Sequence, residues 1–494
     1  MYFSKTLLHS VVTAFAMSIA GAATAGDGPG IPFELGQVNL RATLDAAAGA
    51  YSLKNAQFGN GSNSRTGTRA GGRNWYEGAV TPGLQFDVGD DDLGQIYGRI
   101  SAVGAMTRGA GEAQATSTTS DHPEHFGIED AYIGVRFGPS LGLAESAIDL
   151  SVGNQPFVVG DGFLIANGTA DGGGRAAYLL GPRAAFERTA IARINTAPVR
   201  ADVFHLQGNV DQVLMYGNDG PDTRLIGANL EWFGSKTEDK GRLDYAERKW
   251  YLGLTALRVY EADRLFSFSG SKGGGDAAAN RDGLNVLSAR AGGSFIPDLD
   301  AFGIYGEYAI ERNGRGSGNG GSVDAEAWYL QPQYAFGDLP WAPVLTGRYA
   351  HFSGDKNTGD TTDKSWDPLY SDAGPRGSTT WTQGLIYSQY VGANSNLNSY
   401  HVGLQAQPIE GTLSLGLAYY RHKYDEPSQA GARSDELMDE VDLSATWTTP
   451  IPGLSVSPGI AAGMSGAGQR QALGLSDQAD RTMWLGQIVV NYKL

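Results

Sequence analysis

The stretch Asp130-Ala131-Tyr132-Ile133-Gly134-Val135-Arg136-Phe137 alternates between polar and apolar residues. Successive side chains of an extended strand point to opposite sides, so this stretch has one apolar face and one polar face. The apolar face consists of Ile133, Val135 and Phe137, and the polar face consists of Asp130, Tyr132, Gly134 and Arg136. Because one face suits lipid and the other suits water, the pattern predicts a strand that separates the two.

The same two-faced pattern recurs along the chain, in residues 302–311, 328–334 and 441–448. A soluble β-sandwich shows similar alternation, so the pattern alone does not decide between the two architectures. The charged residues on the polar faces suit a wet lumen, and aromatic residues near many strand ends are typical of the interfacial girdles of membrane barrels. The predicted girdle residues are Trp75-Tyr76, Trp232-Phe233, Trp250-Tyr251, Trp328-Tyr329, Trp447 and Trp484.

The amino-terminal residues have the pattern of a secretory signal peptide. Lys5 is followed by an apolar stretch over residues 7–20 and by the small residues Ala23-Thr24-Ala25. An apolar stretch of this length is too short for a membrane-spanning helix, and it ends in an A-x-A cleavage pattern. We therefore expect a signal peptide at residues 1–25 and a single mature domain at residues 26–494.

Composition narrows the class of protein. Beyond the signal peptide no run of 18 apolar residues occurs, which excludes a helical membrane protein. The chain has no cysteine, so neither a disulfide nor a cysteine metal site stabilises it. With 37 basic and 53 acidic residues and a formal charge of -16, nucleic acid is an unfavourable partner.

The last residues resemble the closing strand of an outer-membrane barrel. In this strand the aromatic Tyr492 is third from the end, although such strands usually finish in an aromatic residue and this one finishes in Leu494. A strand together with its share of turns and loops takes about 25 residues, so the mature chain accommodates roughly 16 to 20 strands, with about 18 expected. The predicted fold is all-β, a transmembrane antiparallel up-and-down β-barrel with long extracellular loops, located in the cell outer membrane and surrounded by its lipid.

Three long loops differ in composition from the strands. Residues 55–72 are rich in glycine, serine, asparagine and arginine, residues 269–282 in glycine and alanine, and residues 354–380 in polar and acidic residues. Loops of this length in barrels lie outside the cell or fold into the pore as plugs. Both interpretations remain open from the sequence.

Residues with catalytic or metal-binding chemistry are scattered. His122 and His125 share a loop, whereas the other histidines of the mature chain lie on separate predicted strands with no nucleophile motif beside them. The acidic stretch from Asp355 to Asp367 lacks the closing glutamate and the regular spacing of a calcium loop. We therefore predict that the chain is not an enzyme and holds no metal or cofactor.

Two segments resemble the alginate-export family of outer-membrane barrels. A strand ending in Ser353-Gly354-Asp355 is followed by Trp366-Asp367-Pro368-Leu369-Tyr370, which is similar to the family's S-G-D and aromatic-D-P-L-aromatic motifs. The second segment, residues 152–163, is similar to the family's G-x-Q strand with its following G-D-G-like turn, although Asn154 occupies a position where members commonly have arginine. The resemblance implies a monomeric barrel of about eighteen strands that passes an anionic polyuronate, guided by lumen arginines and gated by loops.

Alternation places several charged residues on polar faces. Arginines in a narrow lumen bind carboxylates bidentately and weakly enough to release them. Alternatively, the same arginines pair with lumen acids such as Asp130, Glu307 and Asp442 and fix the shape of the pore. The predicted pore-lining residues are Arg99, Asp130, Tyr132, Arg136, Glu307 and Arg348, and the predicted motif loop comprises Gly354, Asp355, Trp366, Asp367, Pro368 and Leu369.

These observations support two principal functions. The first is a passive channel for an alginate-like polyuronate or another anionic solute, working with periplasmic secretion partners in the export case. The second is a general or sugar-selective diffusion porin, usually trimeric, in which aromatic tracks matter more than arginines. A barrel enzyme or an adhesin is a third class, which the scattered histidines disfavour.

Overall fold

The computed structural model describes thirteen stretches of the chain. The alternating strands predicted from the sequence lie within them, whereas the signal peptide, His122 and most of residues 55–72 and 269–282 lie outside the described residues. The described stretches are 30–59, 73–90, 94–109, 123–168, 172–173, 176–209, 223–235, 248–262, 281–297, 299–314, 322–371, 383–476 and 482–494.

These residues form one antiparallel sheet whose neighbouring strands are nearly all consecutive in the chain. Such an order is the up-and-down arrangement expected when each strand pairs with the next through a simple connection. The strands are β1 (Ile31–Leu35), β2 (Val38–Lys54), β3 (Arg73–Asp90), β4 (Gly94–Gly109), β5 (Glu124–Phe137), β6 (Ile148–Gln155), β7 (Phe186–Thr196), β8 (Val199–Gln207), β9 (Arg224–Ser235), β10 (Arg248–Glu261), β11 (Asn285–Gly293), β12 (Phe302–Asn313), β13 (Ser322–Ala335), β14 (Val344–Phe352), β15 (Thr362–Asp363), β16 (Leu397–Ile409), β17 (Leu413–Tyr424), β18 (Glu436–Thr448), β19 (Leu454–Ser465) and β20 (Thr482–Lys493).

The sheet closes into a barrel because its first long strand pairs with its last. β2 and β20 run antiparallel, with a register from Asp45 opposite Lys493 to Lys54 opposite Trp484. Two short strands lie outside this ring: β1 folds back on β2, and β15 pairs in parallel with β13 inside a loop. The described residues therefore form a closed barrel of 18 strands, which confirms the predicted fold class and strand number.

The connections alternate between short and long ones. Turns such as residues 197–198 and 410–412 lie at the end of the barrel that also holds β1 and Leu494, and most of the long connections join strands at the other end. In outer-membrane barrels the short turns are periplasmic and the long loops are extracellular, which orients the chain. Helical turns in the described connections are Ala56–Gly59, Pro139–Leu141, Tyr387–Val391, Pro427–Ala430 and the α-helix Ala467–Ala472.

The outer face of the barrel is apolar, as the alternation predicts. Ile133, Leu443 and Ile488 are about half exposed, whereas Arg136 and Asp442 on the neighbouring inward positions are buried. Each strand thus hides its charged residues inside the barrel and presents aliphatic ones to lipid. Within the described stretches, no helix combines the length and apolar character needed to cross a bilayer.

The predicted aromatic girdle needs a correction, because each adjacent pair puts only one ring outside. Tyr76 and Trp232 are exposed, but their neighbours Trp75 and Phe233 are buried inside the barrel. The cause is the alternation itself, since consecutive residues of a strand face opposite sides. The inward rings belong to a core inside the barrel.

A substitution at an outward position tests which face of a strand meets lipid. Leu443 is 53% exposed and sits in the middle of β18, between Leu417 and Ile460 on the adjacent strands. We expect Leu443→Arg to reduce the free energy of unfolding by about 2–4 kcal/mol, as for a cation near the centre of the lipid face. The measurement is a denaturant titration of the protein refolded in lipid vesicles.

The adjacent position provides the control. Ser444 faces the lumen, where water solvates a new guanidinium, so Ser444→Arg should change the same free energy by less than about 1 kcal/mol. Equal losses from both variants would contradict the assignment of the two faces.

Candidate functional site: a polar wall and an inner plug

A continuous polar band crosses the inner face of β4 to β11. Register pairs neighbouring strands so that Arg136, Asp149, Arg193, Asp202 and Asn229 lie side by side. Five adjacent strands thus present charged or amide side chains at one level. Because the level lies toward the short turns, the band belongs to the periplasmic half of the lumen.

The first part of the band joins β4, β5 and β6. Arg136 Nε donates to Asp149 Oδ2 at 3.1 Å, and the Tyr97 hydroxyl donates to the other oxygen of the same carboxylate. The Arg136 guanidinium carbon also lies 3.6 Å from the centre of the Tyr97 ring. Arg136 is therefore held by a carboxylate and an aromatic face together, which fixes its position.

The second part is a carboxylate shared by two arginines. Asp202 accepts Arg193 Nε at 2.5 Å and Arg200 Nε at 3.0 Å, and the Asn229 amide donates to it at 3.0 Å. Arg200 also lies directly opposite Glu231 of β9 in the register, so Arg193 is the guanidinium of this cluster that is more open to the lumen. The Arg193 side chain is 20% exposed, so part of this positive group faces the lumen.

The third part centres on Arg290 of β11. Its guanidinium donates to Thr255 at 2.7 Å and to Glu231 at 2.8 Å, and it also contacts Asn229. Glu307 on the next strand accepts a hydrogen bond from Ser288. Hydrogen bonds thus link the Asp202 cluster to β10 and β11, because Asn229 contacts both Asp202 and Arg290.

Arg99 and Arg348 lie on other parts of the inner wall. Arg99 Nε is 2.9 Å from Asp130, and its terminal nitrogen is 3.7 Å from Asp45. Arg348 of β14 donates to Gln383 of the following loop at 3.2 Å. Neither arginine bonds a residue of the polar band in these contacts: Arg99 pairs with Asp130 and Asp45, and Arg348 contacts a loop.

Two long connections fold into the barrel and meet there. Ile165, from the connection between β6 and β7, forms a parallel bridge with Tyr370, from the connection between β14 and β16. Ala166 N donates to the Tyr370 carbonyl at 2.8 Å, and Tyr370 N donates to the Leu164 carbonyl at 3.2 Å. We call residues 156–168 and 353–371 together the inner plug.

Aromatic rings form the centre of the inner plug. Phe163 packs against Tyr329, Phe352 and Trp366, with ring centres 5.5 to 6.2 Å apart. The Tyr329 hydroxyl donates to Asp161 at 2.6 Å and ties this cluster to the barrel wall. A buried aromatic cluster of this size stabilises the folded-in position of both connections.

The motif loop predicted from the sequence lies in this plug. Trp366 and Leu369 are buried, and Asp367 binds the guanidinium of Arg281 through both oxygens, with Nε at 2.6 Å. Burial lowers the pKa of Arg281 but Asp367 raises it by more, so the guanidinium stays charged. Glu311 of β12 accepts the Asp367 N–H at 2.9 Å, which attaches the motif loop to the wall.

The other end of the motif loop is anchored differently. Gly354 N donates to Asp425 at 2.9 Å and Asp355 N donates to Gln429 at 2.7 Å. A Cβ on Gly354 would lie 2.1 Å from Oδ1 of Asn396, so a larger residue would have to displace that side chain from its hydrogen bonds with Glu426. Residues 354–371 of the polar and acidic loop therefore fold into the barrel as a plug, whereas residues 372–380 lie outside the described part of the chain.

Three buried glutamates on the wall each bind two consecutive backbone amides of a loop. Glu77 accepts Leu179 N and Leu180 N at 2.8 and 3.0 Å. Glu440 accepts Ile386 N and Tyr387 N at 2.6 and 2.9 Å. Each pair of hydrogen bonds attaches two consecutive residues of a loop backbone to the wall.

Glu129 is the third of these glutamates. It accepts Ala184 N and Ala185 N, the latter at 2.9 Å, and lies 3.7 Å from Arg183. We call Glu77, Glu129 and Glu440 the clasp glutamates. Together they hold residues 179–185 and 386–387 against the wall.

The acidic loop shows no metal-binding arrangement among the described residues. Asp355, Asp360 and Asp363 each accept a backbone N–H two residues further along the same loop. No group of three or more histidine or acidic side chains in the described stretches has the geometry to hold a metal ion.

The structure brings together only part of the predicted set. Arg136 lies in the polar band, Asp130 pairs with Arg99, and Tyr132 packs edge-on to Tyr97 with ring centres 6.2 Å apart. Glu307 and Asp442 contact a serine and a loop amide respectively. Sequence reasoning missed Arg193, Arg200, Asp202, Arg290 and the clasp glutamates.

Strand alternation was sufficient to find Arg193 and Arg290, since both lie at inward positions between outward apolar or small residues. The clasp glutamates left no local signal. Their amide partners are 53 to 103 residues away in the chain.

Solved structures with a similar fold cover nearly the whole chain. OccK2 (OpdF) of Pseudomonas aeruginosa in complex with glucuronate matches with a TM-score of 0.52 and 12% identity, over 92% of this chain and 96% of that chain. A BenF-like porin from Pseudomonas fluorescens Pf-5 matches with a TM-score of 0.54 and 10% identity, over 92% and 98%. The chain shares their fold.

A third structure, OpdK of Pseudomonas aeruginosa with vanillate, matches with a TM-score of 0.51 and 13% identity, over 92% of this chain and 98% of that chain. No protein-family model and no curated protein matches the chain, so its resemblance to the alginate-export family stays a prediction. The shared fold and the apolar outer belt place the chain in the outer membrane.

Proposed function

We propose that the chain is a passive channel for small anionic solutes, with uronates as its substrate class. The observation that carries this proposal is the Asp202 cluster, where one carboxylate is shared by Arg193 and Arg200. The exposed part of the Arg193 guanidinium attracts a carboxylate, and the guanidinium fork suits its two oxygens. Passage down a concentration gradient needs no cofactor.

The remaining arginines extend this path in the proposal. Arg136 and Arg290 lie in the same band, and Arg99, Tyr132 and Arg348 lie on the inner wall beside it. Asp130 and Glu307 keep their neighbours in position. A permeating anion then exchanges one guanidinium for the next without being held by any one of them.

The plug favours small solutes over long polymers. Residues 156–168 and 353–371 fill part of the lumen and are held by hydrogen bonds and aromatic packing. A polyuronate chain can pass only if these segments move aside, whereas a single uronate needs only the space along the wall. The structures of OccK2 with glucuronate and OpdK with vanillate show that those two proteins bind small carboxylates.

A general diffusion porin is the alternative. It is favoured by the pairing of Arg99 with Asp130 and of Arg136 with Asp149, which compensates these charges. In that case the wall fixes the pore shape and does not select anions.

Current block in planar bilayers separates the two functions. We expect glucuronate to reduce the single-channel current at concentrations at least about tenfold lower than glucose does, since a charge-assisted contact contributes about 1.5–3 kcal/mol. The same measurement with short mannuronate oligomers tests whether a polyuronate chain also enters the channel. Equal block by glucuronate and glucose would assign the chain to the general porins and reject the proposal.

A further inference from the structure

The outer wall of the barrel contains a concavity that no transport step uses. Its volume is about 1210 Å³, and its lining residues come from nine consecutive strands, β4 to β12. Ile96 of β4 and Ile310 of β12 border the same cavity. The outer wall of a round barrel is convex, so residues from β4 and β12 can border one cavity only if the wall between these two strands curves inward.

The floor of the concavity is apolar and follows the strand register. Ala192, Val203, Ala228, Ala256 and Leu287 lie side by side on β7 to β11 and point outward. Small side chains in the middle of this row leave room that larger aliphatic ones would fill. The volume exceeds the about 300–1,000 Å³ of common small-ligand pockets, so several acyl chains fit it better than one compact molecule does.

The next outward row toward the long loops is polar. His205, Ile226, Arg258, Asn285 and Arg312 lie side by side on β8 to β12. His205 bonds the Tyr260 hydroxyl at 2.6 Å and the Arg188 carbonyl at 2.9 Å. The row therefore places cationic and hydrogen-bonding groups directly above the apolar floor.

Two arginines of this rim are available to a ligand. Arg258 is exposed and forms no ion pair with any described residue, and Arg312 is half exposed in a surface pair with Asp324 at 2.9 Å. Such an exposed pair contributes little stability, so the Nη2 of Arg312 can exchange Asp324 for a stronger anion while its Nη1 keeps its hydrogen bonds to the carbonyls of Glu311 and Ala325 at 2.8 and 2.9 Å. Both lie within three residues of the extracellular ends of their strands.

We propose that this concavity binds a phosphorylated, multiply acylated glycolipid of the outer leaflet. The acyl chains occupy the row from Ala192 to Leu287, and Arg258 and Arg312 bind a phosphate group, whose oxygens suit the guanidinium fork. The positions of the two parts match those of a lipid in the outer leaflet. The cations lie at the extracellular boundary, at the level of its phosphates, and the apolar floor lies toward the bilayer centre, at the level of its acyl chains. The proposal does not depend on which solute passes through the lumen.

A second copy of the chain is the competing occupant. A two-fold contact brings the same surface of both copies together. Two concave floors then leave a gap, and the arginines of both copies face each other without an anion. The geometry therefore favours lipid.

The test is native mass spectrometry of the full-length mature protein in mild detergent, with diphosphorylated lipid A and with the same lipid after removal of its phosphates. We expect the wild type to retain the phosphorylated lipid and the double variant Arg258→Gln, Arg312→Gln to retain at least about fivefold less. Ala256→Trp keeps the cations but fills the floor, and should lose the lipid as well.

The matched control is the double variant Arg421→Gln, Lys423→Gln. Both side chains lie at outward positions near the extracellular end of β17, and both form surface ion pairs. This control should retain lipid like the wild type. Equal losses in the two double variants, equal retention of the dephosphorylated lipid, or an oligomer that Ala256→Trp dissociates without any lipid bound would each overturn the proposal.

Discussion

Replacement of Glu440 by leucine is expected to raise the single-channel conductance, because it releases a loop from the inner wall. Glu440 holds the backbone of Ile386 and Tyr387 through two hydrogen bonds. Each such bond contributes about 0.5–1.5 kcal/mol, so loss of both shifts the population toward a displaced loop by at least about fivefold. The measurement is conductance in planar bilayers, together with protease cleavage within residues 383–396 in vesicles.

Two variants control this prediction. Glu440→Gln keeps one acceptor oxygen and should give an intermediate conductance. Asp439→Asn changes the adjacent residue, which is exposed and pairs with Arg421 on the outer face, and should leave conductance unchanged. A Glu440→Leu channel with wild-type conductance and wild-type cleavage would show that this clasp glutamate does not position the loop.

Replacement of Arg193 by glutamine is expected to weaken block by glucuronate at least about tenfold, the equivalent of one charge-assisted contact. Arg193 is the more exposed of the two arginines on Asp202, and Arg200 remains to pair with that carboxylate. The substitution therefore removes the more exposed guanidinium without leaving the buried carboxylate of Asp202 unpaired. The half-blocking concentration of glucuronate is the quantity to measure.

The conservative variant separates charge from geometry. Arg193→Lys keeps the charge but loses the planar fork, so its half-blocking concentration should lie between those of the wild type and Arg193→Gln. Arg421→Gln, on the outer face of β17, serves as the control and should behave like the wild type. Unchanged block in Arg193→Gln would exclude the Asp202 cluster from the anion path.

The barrel could be predicted from sequence because its determinants are local. The alternation in residues 130–137 fixes which side of β5 meets lipid, and Ile133 and Arg136 lie on the expected faces. The strand number followed from chain length and typical strand spacing. Closure between β2 and β20 can be predicted without a sequence motif, because an open sheet edge in lipid would leave backbone amides unpaired.

The interior could not be predicted to the same depth because its contacts are between distant residues. Asp367 and Arg281 are 86 residues apart, and Tyr329 and Asp161 are 168 apart. The motif loop was recognised as a distinct segment, but its composition is equally compatible with an extracellular loop. Only the fold shows that Trp366 packs on Phe163 inside the barrel.

The arginines illustrate the same limit. Alternation correctly placed Arg99 and Arg136 at inward positions, but it says nothing of which carboxylate each one meets. Asp202 became the centre of the proposed path only because register brings Arg193 and Arg200 of two neighbouring strands to it. The overall charge of -16 does not reveal that arginines face the lumen at this level.

The most direct measurement is the reversal potential of the wild-type protein in a planar bilayer under a potassium chloride gradient. A lumen with the partly exposed guanidinium of Arg193 on its wall predicts a stable open channel whose reversal potential has the sign for chloride preference. A reversal potential of the opposite sign, or no current above the leak of the bare bilayer, would contradict it.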